Sequence, residues 1–183
     1  MQRREKCFKS ITFVLFVIFF IWILLQFLAP VVLPRGSTKD LSGIVIFSDN
    51  EEKIASFGTP WNFIYSAGDF LCHQRLDRSI IINENQMPFC ARCTAIWLGL
   101  AIGIAFAVFY KAELNDKFVI AILIGLIPIG IDGTGQLVGL WESTNLIRII
   151  TGLLIGFICG IGLGAIIDEI KTLKIIKLQK VVK

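Results

Sequence analysis

The apolar residues of this chain fall in long blocks, where a half-buried helix or strand would repeat about every 3.6 or 2 positions. ITFVLFVIFFIWILLQFLAPVVL (Ile11 to Leu33) is the first block. Three more run over roughly Cys93 to Tyr110, Phe118 to Leu140 and Leu146 to Ile167. A helix needs about 20 apolar residues to cross a hydrocarbon core of about 30 Å, so these four are expected to span a bilayer. PWNFIYSAGDFLCH (Pro60 to His73) is too short to cross alone and reads as an interfacial or re-entrant helix. The expected fold is all-α: a polytopic membrane protein of about four transmembrane helices, with that short helix before a Cys/His segment. The parts are a first anchor (1–33), an extracytoplasmic segment (34–92), a three-helix membrane core (93–167) and a basic tail (168–183).

Small residues are spaced for helix packing. Ala95, Gly99, Gly103 and Ala107 recur every fourth position in the second span, and Gly152, Gly156, Gly160 and Gly164 do so in the fourth. Such stripes let two backbones approach closely where no hydrophobic drive operates, so these two spans are expected to pack face to face. Pro128 and the glycines after it predict a kinked or broken third span whose polar backbone lines a cavity.

Composition agrees with this pattern: 55% hydrophobic residues and a mean hydropathy of +0.76 over 183 residues exclude an ordinary soluble domain. A net charge of +4 could suggest nucleic acid, but the bases cluster beside apolar spans and no groove-reading motif is present. Those clusters orient the chain instead. Arg3, Arg4, Lys6 and Lys9, then Lys111 and Lys117, then five tail lysines fall on one face, with eleven bases against five acids. The segment from Pro34 to Arg92 holds six bases against seven acids. The positive-inside rule puts both termini in the cytoplasm of a plasma-membrane protein. The basic start and long first block read as a retained anchor, since no small-x-small cleavage site closes the block. The tail lysines (171, 174, 177, 180, 183) drift around a helix axis, which suits attraction to anionic lipid heads better than one binding face.

The chemistry gathers in CHQRLDRSIIINENQMPFCARC, from Cys72 to Cys93, which holds three of five cysteines and the single histidine. Cys90 and Cys93, three apart at the start of the second span just after Pro88, share a helix face, and the helix dipole favours their thiolates. Asp132 is expected about nine residues before the outer end of the third span, roughly 13 Å deep, which makes it a functional-site candidate. Gln136 lies one turn further out. Arg148, near the outer start of the fourth span with Thr151 and Gly152 on its face, is the natural ion-pair partner for Asp132, whether as part of a catalytic site or as a register-fixing pair.

Three readings of the cysteines stay open. Cys72, His73, Cys90 and Cys93 supply a Cys3His zinc set, although Cys72 and His73 reach one ion only if a helix ends there; three ligands would leave a position for catalytic water. Alternatively, Cys90 and Cys93 shuttle electrons between thiols and a membrane quinone, an arrangement architecturally similar to vitamin K epoxide reductase-type enzymes. The last is a structural disulfide in an assembly or binding protein. Cys7 and Cys159 read as membrane-adjacent and packing residues. Asp132, Gln136 and Arg148 form the floor of a pocket beside the cluster. An enzyme built this way suits a lipid or lipid-linked substrate reached from the outer leaflet. A homo-oligomer is compatible with all three readings.

CHQ (Cys72 to Gln74), Arg78–Ser79, QMPFCARCT (Gln86 to Thr94), IDGTGQ (Ile131 to Gln136), STNLIR (Ser143 to Arg148) and TGLLIG (Thr151 to Gly156) together resemble a prokaryotic membrane family that carries only a domain-of-unknown-function label. The resemblance covers roughly Tyr65 to Gly164. It implies a recurring set of Cys72, His73, Cys90, Arg92, Cys93, Asp132, Gln136 and Arg148, and no activity. The chain departs from the pattern at Leu76 and Ala95, where proline and glycine are frequent, which touches a turn and helix packing.

Overall fold

A computed structural model describes residues 2–110, 112 and 115–181, with side chains described over 11–110, 112 and 115–170. Helix α1 (Gln2–Val32) is followed by two shorter helices, α2 (Glu51–Ala55) and α3 (Trp61–Leu71). An antiparallel hairpin of β1 (Ser79–Ile82) and β2 (Asn85–Cys90) leads into α4 (Ala91–Phe109), α5 (Asp116–Leu137) and α6 (Asn145–Val181). Four stretches are long and apolar enough to cross a membrane: Ile11–Val32, Ala91–Phe109, Asp116–Leu137 and Asn145–Ile170. The expected helical architecture and its four candidate spans are thus present. Cys7, the tail lysines and the bases at 3, 4, 6, 9 and 111 lie outside the residues whose side chains are described.

The stripes of small residues meet as expected, along the contact of α4 with α6. A Cβ on Gly152 would sit 2.6 Å from the Arg92 carbonyl oxygen, and one on Gly99 2.8 Å from the Phe157 amide nitrogen. Added carbons on Gly103, Gly156 and Gly160 would likewise collide with Phe157, Ile96 and Leu100 backbone oxygens. Only hydrogen fits between these backbones. Dispersion over so close a contact replaces the hydrophobic drive that lipid cannot supply. Helix α1 packs mainly on α4, and α5 leans chiefly on α6. The remaining face of α5 leaves Val119, Ile120, Leu123, Ile124, Ile127 and Ile131 exposed, which suits lipid as solvent. Asn115 starts α5, its Oδ1 accepting from the Phe118 amide at 3.0 Å.

Two details of the helical reading are corrected. Helix α5 runs unbroken through Pro128 and stops at Leu137, so Asp132 lies five residues from its end. At the helical rise that is about 8 Å, shallower than expected. Pro88 stands in β2 rather than in the first turn of α4.

The segment between α1 and α4 is an ordered cap, and its hairpin is a feature the all-helical reading missed. Asn83 (φ 54°) and Glu84 (φ 59°) form a two-residue left-handed turn of the kind that matches strand twist. Asn85 is fully buried, and its Nδ2 donates to the carbonyls of Pro30 (2.9 Å), Leu33 (3.2 Å) and Pro34 (3.0 Å). The Pro30 carbonyl is one that the end of α1 leaves without an intrahelical partner, since position 34 is a proline with no amide hydrogen. Tyr65 donates to the Gln86 carbonyl at 2.7 Å, and Ala29, Leu33, Leu41, Ile54 and Tyr65 form a core where α1 meets the cap. A Cβ on Gly68 would collide with the Pro88 carbonyl, so α3 lies directly on β2. The C-terminal ends of α1 and α5 and the N-terminal ends of α4 and α6 therefore face the cap. The N-terminal end of α1 and the C-terminal end of α6 lie at the opposite end of the bundle.

Candidate metal centre and arginine-lined pocket

Cys72 ends α3, its amide still bonded to the Gly68 carbonyl at 2.9 Å while its own backbone is extended (φ −143°, ψ 147°). Cys90 ends β2 and stands immediately before α4, and Cys93 lies in that helix's first turn. One ligand atom from each lies within 4.8 Å of the others, so the end of α3 and the junction of β2 with α4 bring their sulfurs together. All three are free thiols. Sulfurs bound to a tetrahedral zinc at about 2.3 Å lie roughly 3.8 Å apart, against an outer limit of 4.8 Å in this cluster. The Cys90 amide donates to Cys72 Sγ at 3.4 Å.

The sulfurs shape one another's protonation. The Cys72 and Cys93 thiols and the Cys93 and Arg92 amides point at Cys90 and hold it far below the ordinary thiol range, at about 2. Cys72, hydrogen-bonded to Cys90 and buried, is pushed up to about 11. A single anionic sulfur shared by three is the electronic starting point for a metal ligand set or for a thiol nucleophile.

His73 is not brought into this group. The expected condition is met, because α3 ends at Leu71, but the extended backbone that follows sends successive side chains to opposite sides. Cys72 is therefore buried, whereas the exposed His73 ring has its Nδ1 3.3 Å from the Gly43 carbonyl oxygen.

The cluster opens on a cavity of about 210 Å³ whose lining includes Cys72, Cys90 and Cys93 together with Arg78, Arg92, Gln136 and Arg148. The sulfur cluster and the polar residues of the last two helices thus share one end of the bundle. The ion pair differs from expectation. Asp132 Oδ2 bonds Arg92 Nη2, not Arg148, and also accepts from Ser143 Oγ at 2.9 Å. Arg92, on the first turn of α4, faces the end of α5 directly. Arg148, only 5% exposed, donates to Asn145 Oδ1 at 2.9 Å instead. With its carbonyl turned to the two guanidiniums, Gln136 accepts from Arg148 Nη2 at 2.8 Å and Arg78 Nη2 at 3.3 Å. Thr151 bonds back to the Ile147 carbonyl at 2.8 Å and takes no part in the pocket.

Ser143 and Arg78 were not singled out from the residues by chemistry. Arg78 sits in the polar run between the cysteines, so a count of bases within that run would have marked it. Nothing local marks Ser143, because its partner Asp132 lies eleven residues back, in the helix before the loop.

The model of a family described as a predicted membrane protein (DUF2085) matches residues 72–162. These contain the whole sulfur cluster, the cavity-lining Gln136 and Arg148, and Asp132, which does not line the cavity as expected but bonds the lining Arg92. The uncharacterized protein MJ1492 of Methanocaldococcus jannaschii is 34% identical over 160 residues, 83% of this chain and 87% of its own length. An uncharacterized protein of Methanothermobacter thermautotrophicus is 34% identical over 104 residues, 57% of this chain and 90% of its own length. No solved structure matches the chain significantly. With a family model centred on the site and archaeal relatives matched over most of their length, this chain belongs to the DUF2085 family of predicted membrane proteins.

Proposed function

We propose that Cys72, Cys90 and Cys93 hold a zinc ion facing the extracytoplasmic side, with its fourth position turned to the arginine-lined cavity. The single observation that carries this is the convergence of three sulfurs from α3, β2 and α4 within 4.8 Å at the wall of that cavity. Three protein ligands and one open position are the pattern of a catalytic zinc rather than a closed structural one. The reading is an enzyme acting on a lipid or lipid-linked molecule. When bound, the ion would supply an activated water or a polarised substrate oxygen. Gln136 and Arg148 line the same cavity, and Asp132, bonded to Arg92 and Ser143, holds the lining Arg92 in place. His73 is assigned the cavity margin and no place among the ligands.

Metal analysis of the purified full chain tests this. About one zinc per chain is expected, with three thiols becoming reactive only after chelation. Cys72→Ser, Cys90→Ser and Cys93→Ser are each expected to lose the metal, and His73→Ala to keep it. A metal-free protein with a reducible bridge between two of these cysteines would instead favour thiol–disulfide exchange. The depressed Cys90 thiol is the observation that supports that second reading.

A further inference from the structure

The cavity beside the sulfurs has more positive charge than its own residues neutralise. Arg75, Arg78, Arg92 and Arg148 surround it, whereas the carboxylates among them are Asp132, taken by Arg92, and Asp77, set between Arg75 (3.1 Å) and Arg78 (3.6 Å) at the rim. Three thiolates on a zinc ion would add one negative charge and still leave a cation uncompensated. Burying like-charged guanidiniums without a counter-ion is costly. One of their donors has no acceptor: Arg92 Nε is buried with no hydrogen-bond partner, whereas Arg78 Nε has only Asp77 Oδ2 at 3.6 Å. The N-terminal ends of α4 and α6 add partial positive charge at this spot. An acceptor-only group with several oxygens satisfies all of these at once.

One side of the cavity is apolar. Val45 and Leu71 line it, and the surface running from them exposes Ile44, Ile46, Phe47 and Phe70 at 46% or more. The backbone holds this surface together, the Ile46 amide bonding the Phe70 carbonyl at 2.8 Å. A contiguous apolar rim next to a cationic floor fits a molecule with the same two parts.

We infer that the pocket binds the phosphate headgroup of an anionic lipid, with Arg78, Arg92 and Arg148 on the phosphate oxygens and the acyl chains leaving over Val45, Leu71 and the Ile44–Phe47 loop. That this lipid is the substrate rests on the function proposed above; that it binds does not. Arg78 is the position to test, because about a third of its side chain is accessible and its loss leaves the Arg92–Asp132 pair intact.

The full chain in nanodiscs of phosphatidylcholine, with or without phosphatidic acid, is analysed by native mass spectrometry and by lipid titration, and metal content is read on the same samples. Retention of phosphatidic acid over phosphatidylcholine is expected, with about tenfold weaker binding in Arg78→Gln and partial recovery in Arg78→Lys. Inorganic phosphate is expected to compete only weakly. Equal retention of the two lipids, or undiminished affinity in Arg78→Gln, would overturn the inference. So would inorganic phosphate binding as tightly as the lipid, which would reassign the pocket to a soluble oxyanion. A protein without metal that still discriminates the lipids supports the pocket and sinks the metal reading. One that holds metal and does not discriminate sinks the pocket alone.

Discussion

Asp132 shows how a single buried charge selects its partner. Its carboxylate takes Arg92 and Ser143, while Arg148 turns to Asn145 and Gln136. A double-mutant cycle on stability is therefore expected to find coupling between Asp132 and Arg92 and little between Asp132 and Arg148. Asp132→Asn alone should cost about 3 kcal/mol, the low end for breaking a buried pair, because Arg92 keeps a fifth of its side chain accessible (21%). Thermal unfolding of the detergent-solubilised protein reads both, and equal coupling to the two arginines would refute the assignment. Tyr65 offers a second check. Burial pushes its hydroxyl up to about 12, against an ordinary 10. The unfolded chain thus gives up that proton at lower pH than the folded one. The stability from burying neutral Tyr65 is complete below pH 10 and is lost as pH rises toward 12. Tyr65→Phe should abolish that alkaline part of the stability profile.

Helices α4 and α6 are held by absent side chains. Any carbon on Gly156 meets the Ile96 carbonyl, whereas nothing lies within 4 Å of one added to Gly130 in α5. Gly156→Ala is expected to destabilise by about 1–3 kcal/mol through overpacking, and Gly156→Leu to prevent folding. Gly130→Ala should be neutral or stabilising by up to about 1 kcal/mol, from helix propensity alone. Melting temperatures of the three variants check this, and equal losses at both glycines would show that the close contact is not what matters. The cap has its own joint in Asn85. Asn85→Ala removes the donor to three carbonyls where α1 ends and should cost on the order of 1–3 kcal/mol, chiefly by leaving the Pro30 carbonyl unpaired, since Pro34 also accepts from the Ser37 amide and Leu33 from Asn83.

For the whole molecule, the cap, the sulfur cluster and the arginine pocket occupy one end of the bundle, and the start of α1 and the end of α6 the other. An impermeant thiol reagent applied to intact cells is expected to label a cysteine placed at Phe47 and to miss one placed at Lys117. A reporter on either terminus should report the opposite side from Phe47. Labelling of both positions from outside would break the topology on which the proposed lipid access depends. The exposed apolar face of α5 and the apolar rim of the pocket are both served by a bilayer, so removing lipid should loosen the cap before the α4–α6 pair.

Much of this arrangement was legible along the chain because its causes are local. Block hydrophobicity marks the spans, and a glycine every fourth position already specifies which helix surfaces can touch, since that geometry follows from helical repeat alone. Proximity of Cys90, Cys93, Asp132 and Arg148 followed from the alternation of four spans. What stayed hidden depends on directions that span alternation does not set. The hairpin was hidden by its polar turn and its place inside a loop, although the isoleucine run and the Asn83–Glu84 pair carry its signal. Whether His73 joins its neighbour Cys72 depends on backbone dihedrals after α3, and the choice of Arg92 over Arg148 depends on which first turn faces the end of α5. Hydrophobicity and small-residue spacing fixed which helices exist and which faces meet; only the packed structure decided which side chains converge, because a buried charge or sulfur takes the partner that geometry places within reach.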